Sequence, residues 1–270
     1  PSKIPVDADG DRAFDILLEV SGWLAKVNCV SMGNPHAVIF LEEELIYWIN
    51  SILKRGWSKI KGRDVKAIHE ILTGLNISES EIEKVAKKLQ NVSTIRVTTE
   101  LGTDITLPIK NRTIIKSTGI LRNIGEYGNL PSGEVYLAPW EKQSNGVIVF
   151  DGSIAGIGIL KHPVKVVVED GYGVDFEGDE EAKQLYDMLK SIGHEAFAIG
   201  EFGIGTNYKA KITGIILEDE KVLGTVHIAF GNNLTMGGKI KAKGHIDGII
   251  TKPNVYFDDK LIMKEGKLLI

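Results

Sequence analysis

"GVIVFDGSIAGIGIL", Gly146–Leu160, runs almost directly into "HPVKVVVEDGYGVDFEG", His162–Gly178. Val147 to Phe150 and Val164 to Val168 are runs of β-branched and aromatic residues, too short for helices and bounded by glycine. Such runs read as short strands joined by tight turns. The pattern extends in both directions. Upstream, "STIRVTTELGTDITLPI", Ser93–Ile109, alternates apolar and polar residues about Leu101-Gly102, the signature of a hairpin. Downstream, "KITGIILED", "VLGTVHIAF" and "NVYFDDKLIMKEGKLLI" continue as strands. Two helices interrupt them. "SESE", Ser78–Glu81, is a capping box ahead of an apolar face of Ile82, Val85, Ala86 and Leu89. Ala182, Leu185, Met188, Leu189 and Ile192 form a second face, which Gly193 terminates. The expected fold class is therefore α+β, a β-rich domain of short strands and glycine turns with few helices.

Composition narrows the function. With 270 residues, 43% of them hydrophobic, the chain has enough apolar surface for a substantial core. Its 32 basic residues against 36 acidic leave a net charge of −4, which gives no electrostatic reason for a nucleic-acid partner. No apolar run reaches the roughly 18 residues of a membrane span. The single cysteine, Cys29, excludes an internal disulfide, and "PSKIPVDADGDR" lacks the pattern of a secretory leader, so the expectation is a cytoplasmic protein.

Chemistry-bearing residues cluster at strand ends. "GHIDG" sets His245 and Asp247 two apart, on one face of a strand and within reach of one metal ion. Alone, the pair also fits a histidine orienting a surface aspartate. His227 in "GTVHIAFG" lies in an apolar strand and, alone, reads as a core histidine. Glu201 in "IGEFGIGTN" and Glu134 in "GNLPSGEVYLAP" are carboxylates among apolar residues and glycines. A buried carboxylate is costly unless a cation neutralises it. Three carboxylates and two histidines in such settings point to one metal centre.

The runs "GNLPSGEVYLAPWEKQSNGVIVFDGSIAGIG", "IGEFGIGTN", "LEDEKVLGTVHIAFG" and "HIDGIITKPNVYFDDKLIMKEGK" closely resemble the catalytic half of the aminopeptidase T metallopeptidases, from about Ser93 to the C-terminus. That resemblance implies a metal-dependent leucyl aminopeptidase acting on the N-termini of peptides. It implies two divalent ions (zinc, cobalt or manganese) on Glu134, Glu201, His227, His245 and Asp247, with Glu134 and Glu201 also catalytic, and a homodimer. Two ions about 3.5 to 4 Å apart would activate a bridging water and polarise the scissile carbonyl. A tyrosine that the longer members carry after the "HIA" histidine is replaced here by Leu234. The family's N-terminal α/β domain has only residues 45 to about 92 to stand for its end. Two alternatives remain open: a related ring-opening dioxygenase of dihydroxypyridines with a single iron on a similar histidine and H-x-D set, and a metal-binding module without activity. Glu134 and Glu201 together offer more ligands than one open iron site needs, which favours hydrolysis.

The N-terminal segment differs. "VSMGNPHAVIF", Val30–Phe40, resembles a fragment of diaminopimelate epimerase, whose Gly-Asn-Pro-His turn binds an amino acid. That chemistry needs two cysteines, and only Cys29 is present. The expected organisation is residues 1–44 as an epimerase-like β segment, 45–92 as a helical connection beginning with Leu45, Ile49, Ile52 and Leu53, and 93–270 as the metal-binding domain.

Overall fold

The computed structural model describes residues 13–20, 23–31, 35–40, 81–119, 129 and 131–270. The chain divides into two compact units, Pro1–Asn76 with Gly119–Leu130, and Ile77–Thr118 with Pro131–Ile270. The first contains an antiparallel sheet of β1 (Ala13–Val20), β2 (Trp23–Ser31) and β3 (Pro35–Phe40) in that order. Val30 pairs with His36 and Ser31 with Pro35; the Gly33-Asn34-Pro35 turn expected from the sequence falls at residues 32–34, outside the described residues. The Leu45–Leu53 pattern and the Ser78 cap also lie outside them.

The second unit is built from two antiparallel sheets. One contains β4 (Thr94–Thr98), β5 (Asp104–Pro108), β8 (Asn145–Phe150), β11 (Val164–Glu169), β12 (Tyr172–Glu177), β16 (Asn254–Phe257), β17 (Lys260–Lys264) and β18 (Lys267–Leu268). Their order is β12-β11-β8-β5-β4-β16-β17-β18. The other contains β6 (Ile115–Ser117), β7 (Glu134–Leu137), β9 (Ser153–Ile154), β10 (Gly158–Ile159), β13 (Ile199–Gly205), β14 (Thr225–Gly231) and β15 (His245–Thr251). Here the order is β10-β9-β15-β14-β13-β7-β6. Helix α1 covers 81–89 among the described residues and buries Ile82, Val85, Ala86 and Leu89. Helix α2 (Glu180–Ile192) buries Ala182, Leu185 and Leu189 and ends at Gly193, φ 123°. The fold is thus a β-rich α+β arrangement. No described helix is long and apolar enough to cross a membrane.

The two sheets differ in what they bury. Strands β4, β5 and β11 alternate between buried and more exposed positions, as expected where one face meets the core. Every residue of β13 and β14 is buried. Phe202 and Ile204, with Val226, Ile228 and Phe230, belong to the hydrophobic core. The intervening residues Glu201, Gly203, His227 and Ala229 must then project from the opposite face. The Phe150 ring of β8 packs edge-on to Phe230 at 6.3 Å and lies over Gly248 of β15.

One expected strand is absent. In "KITGIILED" only a short helix forms, α3 (Ile216–Asp219). The Asp219 carboxylate accepts hydrogen bonds from the Thr213 and Gly214 amides at 2.7 and 2.9 Å and from the Ser153 hydroxyl at 2.5 Å. These local bonds fold the segment back and outcompete a strand ladder. Gly214, φ 86°, makes the reversal sterically possible.

A methyl group added at Gly248 would stand 2.4 Å from the Phe150 ring. Gly248→Ala is expected to cost about 1–3 kcal/mol through overpacking. The urea midpoint should fall with its slope unchanged. An unshifted midpoint would show that the sheets are not packed this closely at Phe150.

Candidate metal centre

The outer face of the seven-stranded sheet gathers all five residues singled out in the sequence. Register does this: Gly205 pairs with Glu134, Gly203 with both Tyr136 and His227, Ala229 with Glu201 and Asp247, and Gly231 with His245. Paired residues of an antiparallel ladder share a face. The His227 imidazole needs room above its neighbour, and Gly203 provides it. A Cβ at Gly203 would lie 2.1 Å from His227 Nε2.

Glu201 sits between the imidazoles. Its Oε1 is 3.2 Å from His227 Nε2 and its Oε2 is 3.0 Å from His245 Nε2. His245 Nε2 is also 3.3 Å from Asp247 Oδ1, and Glu134 Oε2 is 3.5 Å from His227 Nε2. His245 Nδ1 donates to the Asn232 carbonyl at 2.7 Å, which directs Nε2 and its lone pair into the cluster. Three trios place their ligand atoms within 4.8 Å of one another: Glu134–Glu201–His227, Glu201–His245–Asp247 and Glu220–His227–Asp247.

Glu220 and Lys221 are new members that the sequence did not single out. Lys221 is fully buried, with Nζ 2.8 Å from Glu134 Oε1 and a second ion pair to Glu220. Both follow α3 directly. Their only sequence signal is the acidic-basic run "EDEK" ahead of a strand, which ordinarily reads as a solvated turn. Tyr136, two residues after Glu134, is a further member. Leu234, at the position of the expected tyrosine, lies in a short 3₁₀ turn and is exposed.

The electrostatics demand positive charge. Four carboxylates (Glu134, Glu201, Glu220 and Asp247) face one ammonium, and all but Glu220 are at least nine-tenths buried. Burial works against the charged form of His227, but Glu201, Glu134 and Glu220 outweigh it and lift the imidazole to about 9. Burial likewise opposes charge on His245, and Asp247 and Glu201 raise it well above the usual histidine value. Burial would raise Glu201, yet hydrogen bonds from His227 and His245 hold it at about 2. Burial, with Glu134 and Asp247 and against Lys221, pushes Glu220 up to about 8. Glu134 Oε2 and His227 Nδ1 have no hydrogen-bond partner among the described residues. Carboxylate oxygens and imidazole nitrogens gathered in one buried cluster are donors that fit a divalent cation, which would take the place of the imidazole protons.

The family model described as NicX, 2,5-dihydroxypyridine 5,6-dioxygenase, matches residues 64–270 and so spans the whole cluster. The chain belongs to the NicX family. It is 24% identical over 199 residues to the 2,5-dihydroxypyridine 5,6-dioxygenase of Pseudomonas putida, covering 67% of this chain and 55% of that protein. The chain thus spans about half the length of this curated relative. The solved structure of the P. putida KT2440 dioxygenase superposes with a TM-score of 0.68 at 21% identity, over 74% of this chain and 62% of that one. Wild-type AmpT from Thermus thermophilus superposes with a TM-score of 0.59 at 19% identity, over 74% and 56%. Over 43 residues the chain is also 42% identical to diaminopimelate epimerase of Desulforapulum autotrophicum, 16% of this chain and 15% of that one.

NicX membership overturns the expected leucyl aminopeptidase. The likeness to AmpT is one of fold, and the hydrolase and protease reading falls with it. The preference for hydrolysis drawn from the ligand count falls with that reading. One oxygen of Glu134 is held by Lys221.

Gly203→Ala tests the geometry. Its methyl would force the His227 ring aside, and zinc affinity is expected to drop by about 10- to 100-fold, as when the support of a ligand is lost. Isothermal titration reads the affinity, and circular dichroism the fold. Unchanged affinity in a folded variant would remove His227 from the centre.

Proposed function

We propose that the chain is a ring-opening dioxygenase acting on a dihydroxypyridine at a single ferrous ion. The observation that supports this most directly is that the NicX match contains every residue of the cluster. Glu201, His245 and Asp247 would hold the ion, with His227 as the second imidazole against the other oxygen of Glu201. Histidine nitrogens and carboxylate oxygens are the donors that non-haem iron oxygenases use, commonly two histidines to one carboxylate, and here Glu201 and Asp247 supply two carboxylates. Bound there, iron supplies dioxygen activation and electron exchange with an aromatic ring, which none of these side chains offers.

The chain's own residues account for the rest. The bond from His245 to Asn232 fixes the tautomer and ring orientation before any substrate arrives. Glu134 Oε2 is the acceptor for a substrate hydroxyl proton, because it is buried, close to the imidazole and engaged in no hydrogen bond among the described residues. Burial first, then Glu134 and Glu201, push the Tyr136 phenol up, so it stays protonated and serves as a donor to a substrate oxygen.

Loaded anaerobically with ferrous ion and given 2,5-dihydroxypyridine, the full chain should consume dioxygen as the aromatic absorbance decays. His245→Ala and Asp247→Ala should each lower kcat/KM by more than about 100-fold, the upper range for losing a mere ligand support. No dioxygen uptake by the iron-loaded chain across dihydroxypyridine isomers would sink the proposal.

A further inference from the structure

The cluster is most open at one corner. The His245 side chain is 27% exposed, whereas those of Glu134, Glu201, His227 and Asp247 are each under a tenth exposed. The segment leading into His245, "NNLTMGGKIKAKGH", Asn232–His245, forms the rim of that corner. Its side chains alternate: Lys239, Lys241 and Lys243 are exposed, Ile240 is buried and Ala242 packs against the core. Hydrogen bonds fix this pattern. The Ile240 amide donates to Asn233 Oδ1 at 2.8 Å, and the Asn233 amide to the Ile240 carbonyl at 3.3 Å. Asn232 donates to the Gly244 carbonyl through its amide, at 2.9 Å, and to the Ala242 carbonyl through Nδ2, at 2.8 Å. The Asn232 carbonyl in turn accepts from His245. The lysines are thus held on the outside of a segment tied directly to the centre. An extended chain advances about 3.5 Å per residue, so the Lys243 backbone lies within about 7 Å of His245 and that of Lys241 within about 14 Å. Long side chains bring such charges within the roughly 8 to 10 Å over which they act through physiological salt.

The charge of this rim is uncompensated. No Asp or Glu occurs between Glu220 and Asp247. Among the described residues none of the three ammonium groups forms an ion pair. Glu141 reaches the segment, but it accepts the Lys239 amide at 2.7 Å and pairs with Arg112. Leu234, 47% exposed in the turn that the Asn232 side chain anchors, adds apolar surface to the same rim. The chain as a whole is acidic, at −4, so positive charge gathered at the opening draws anions to this point. Exposed lysines act as mobile point charges rather than as a bidentate clamp, which suits a single negative charge on an approaching ring. We propose that Lys239, Lys241 and Lys243 are specificity-determining residues: with Leu234 they form a basic rim that favours an aromatic substrate carrying a ring carboxylate over the neutral ring of the same shape. This deepens the dioxygenase reading, on which it rests, by naming the substrate class as a carboxylated dihydroxypyridine. The lysines act on the encounter and touch none of the reacting atoms.

The probes are a dihydroxypyridine carboxylate and the matching carboxamide, each mixed by stopped flow with the full chain loaded with zinc, an ion without redox chemistry, so that ring absorbance reports binding alone. At about 20 mM salt the carboxylate should associate about 5- to 10-fold faster than the carboxamide, the low end of electrostatic steering, and at about 500 mM salt the two rates should converge. A variant carrying Lys239→Gln, Lys241→Gln and Lys243→Gln should bind both ligands at the carboxamide's rate, with carboxamide dissociation within about twofold of the unaltered chain, because rim charges govern encounter. Lys243→Gln alone should lose about half of the advantage, and it decides the matter if the triple variant does not fold by circular dichroism. Equal rates for the two ligands in the unaltered chain, an advantage that persists at high salt, or one that survives neutralisation of the lysines would each overturn the rim while leaving the dioxygenase reading in place. Binding of neither ligand by the zinc-loaded chain would overturn that reading, and the rim with it.

Discussion

Glu134, Glu201, Glu220 and Asp247 crowd one face of a sheet with little access to water, and mutual repulsion would drive them apart unless positive charge lay between them. Lys221 answers part of this, and the two imidazoles answer another part by being pushed toward their charged forms. A divalent ion would take over the charge that the imidazole protons otherwise supply. Everything around the cluster follows from this constraint. The sheet's other face is packed with Phe202, Ile228 and Phe230, so the strands cannot rotate to release the carboxylates into solvent. A rigid hydrophobic layer on one side thus holds an electrostatically unfavourable arrangement on the other.

Glycine is how the strands accommodate both faces at once. Gly203 leaves space for an imidazole, Gly205 for the chain that delivers Lys221, and Gly248 for the Phe150 ring. Gly203 and Gly248 sit inside strands and Gly205 ends one, positions where glycine normally costs stability and is kept for close approach. The first two belong to the chemistry and the third to the core. The same substitution of glycine for a larger residue therefore serves ligand placement in one case and inter-sheet packing in the other.

What the sequence revealed and what it hid differ in kind. The Ser93–Ile109 hairpin, the apolar face of Glu180–Ile192 and the shared face of His245 and Asp247 all follow from period-two or period-3.6 spacing, and the structure has them. Spacing also collected Glu134, Glu201 and His227, because carboxylates and histidines in apolar, glycine-rich runs stand out. It did not show Lys221, since a lysine in "EDEK" looks like any solvated charge until its backbone is clamped by Asn207 and Gly205, residues far from it in composition and pattern. It misread "KITGIILED" for a related reason. The strand-like run was unmade by one buried aspartate whose hydrogen bonds reach from Ser153 to Gly214. Periodicity reports which face a residue occupies, not which distant group will neutralise it.

That distinction also explains why the same face could suggest two chemistries. A structure solved for an AmpT and one solved for a dihydroxypyridine dioxygenase both superpose on this chain, so the sheet and its strand order do not choose between hydrolysis and oxygen chemistry. Counting donors does not choose either, because a carboxylate can be shared between a metal ion and a fixed counter-charge. In this chain the Lys221 ammonium lies 2.8 Å from Glu134, closer than His227 Nε2 at 3.5 Å. The choice of chemistry on such a scaffold then turns on the counter-charges surrounding the donors. A lysine fixed by backbone contacts cannot be lost or exchanged as an ion can, so its charge beside Glu134 and Glu220 is in place as soon as the chain folds.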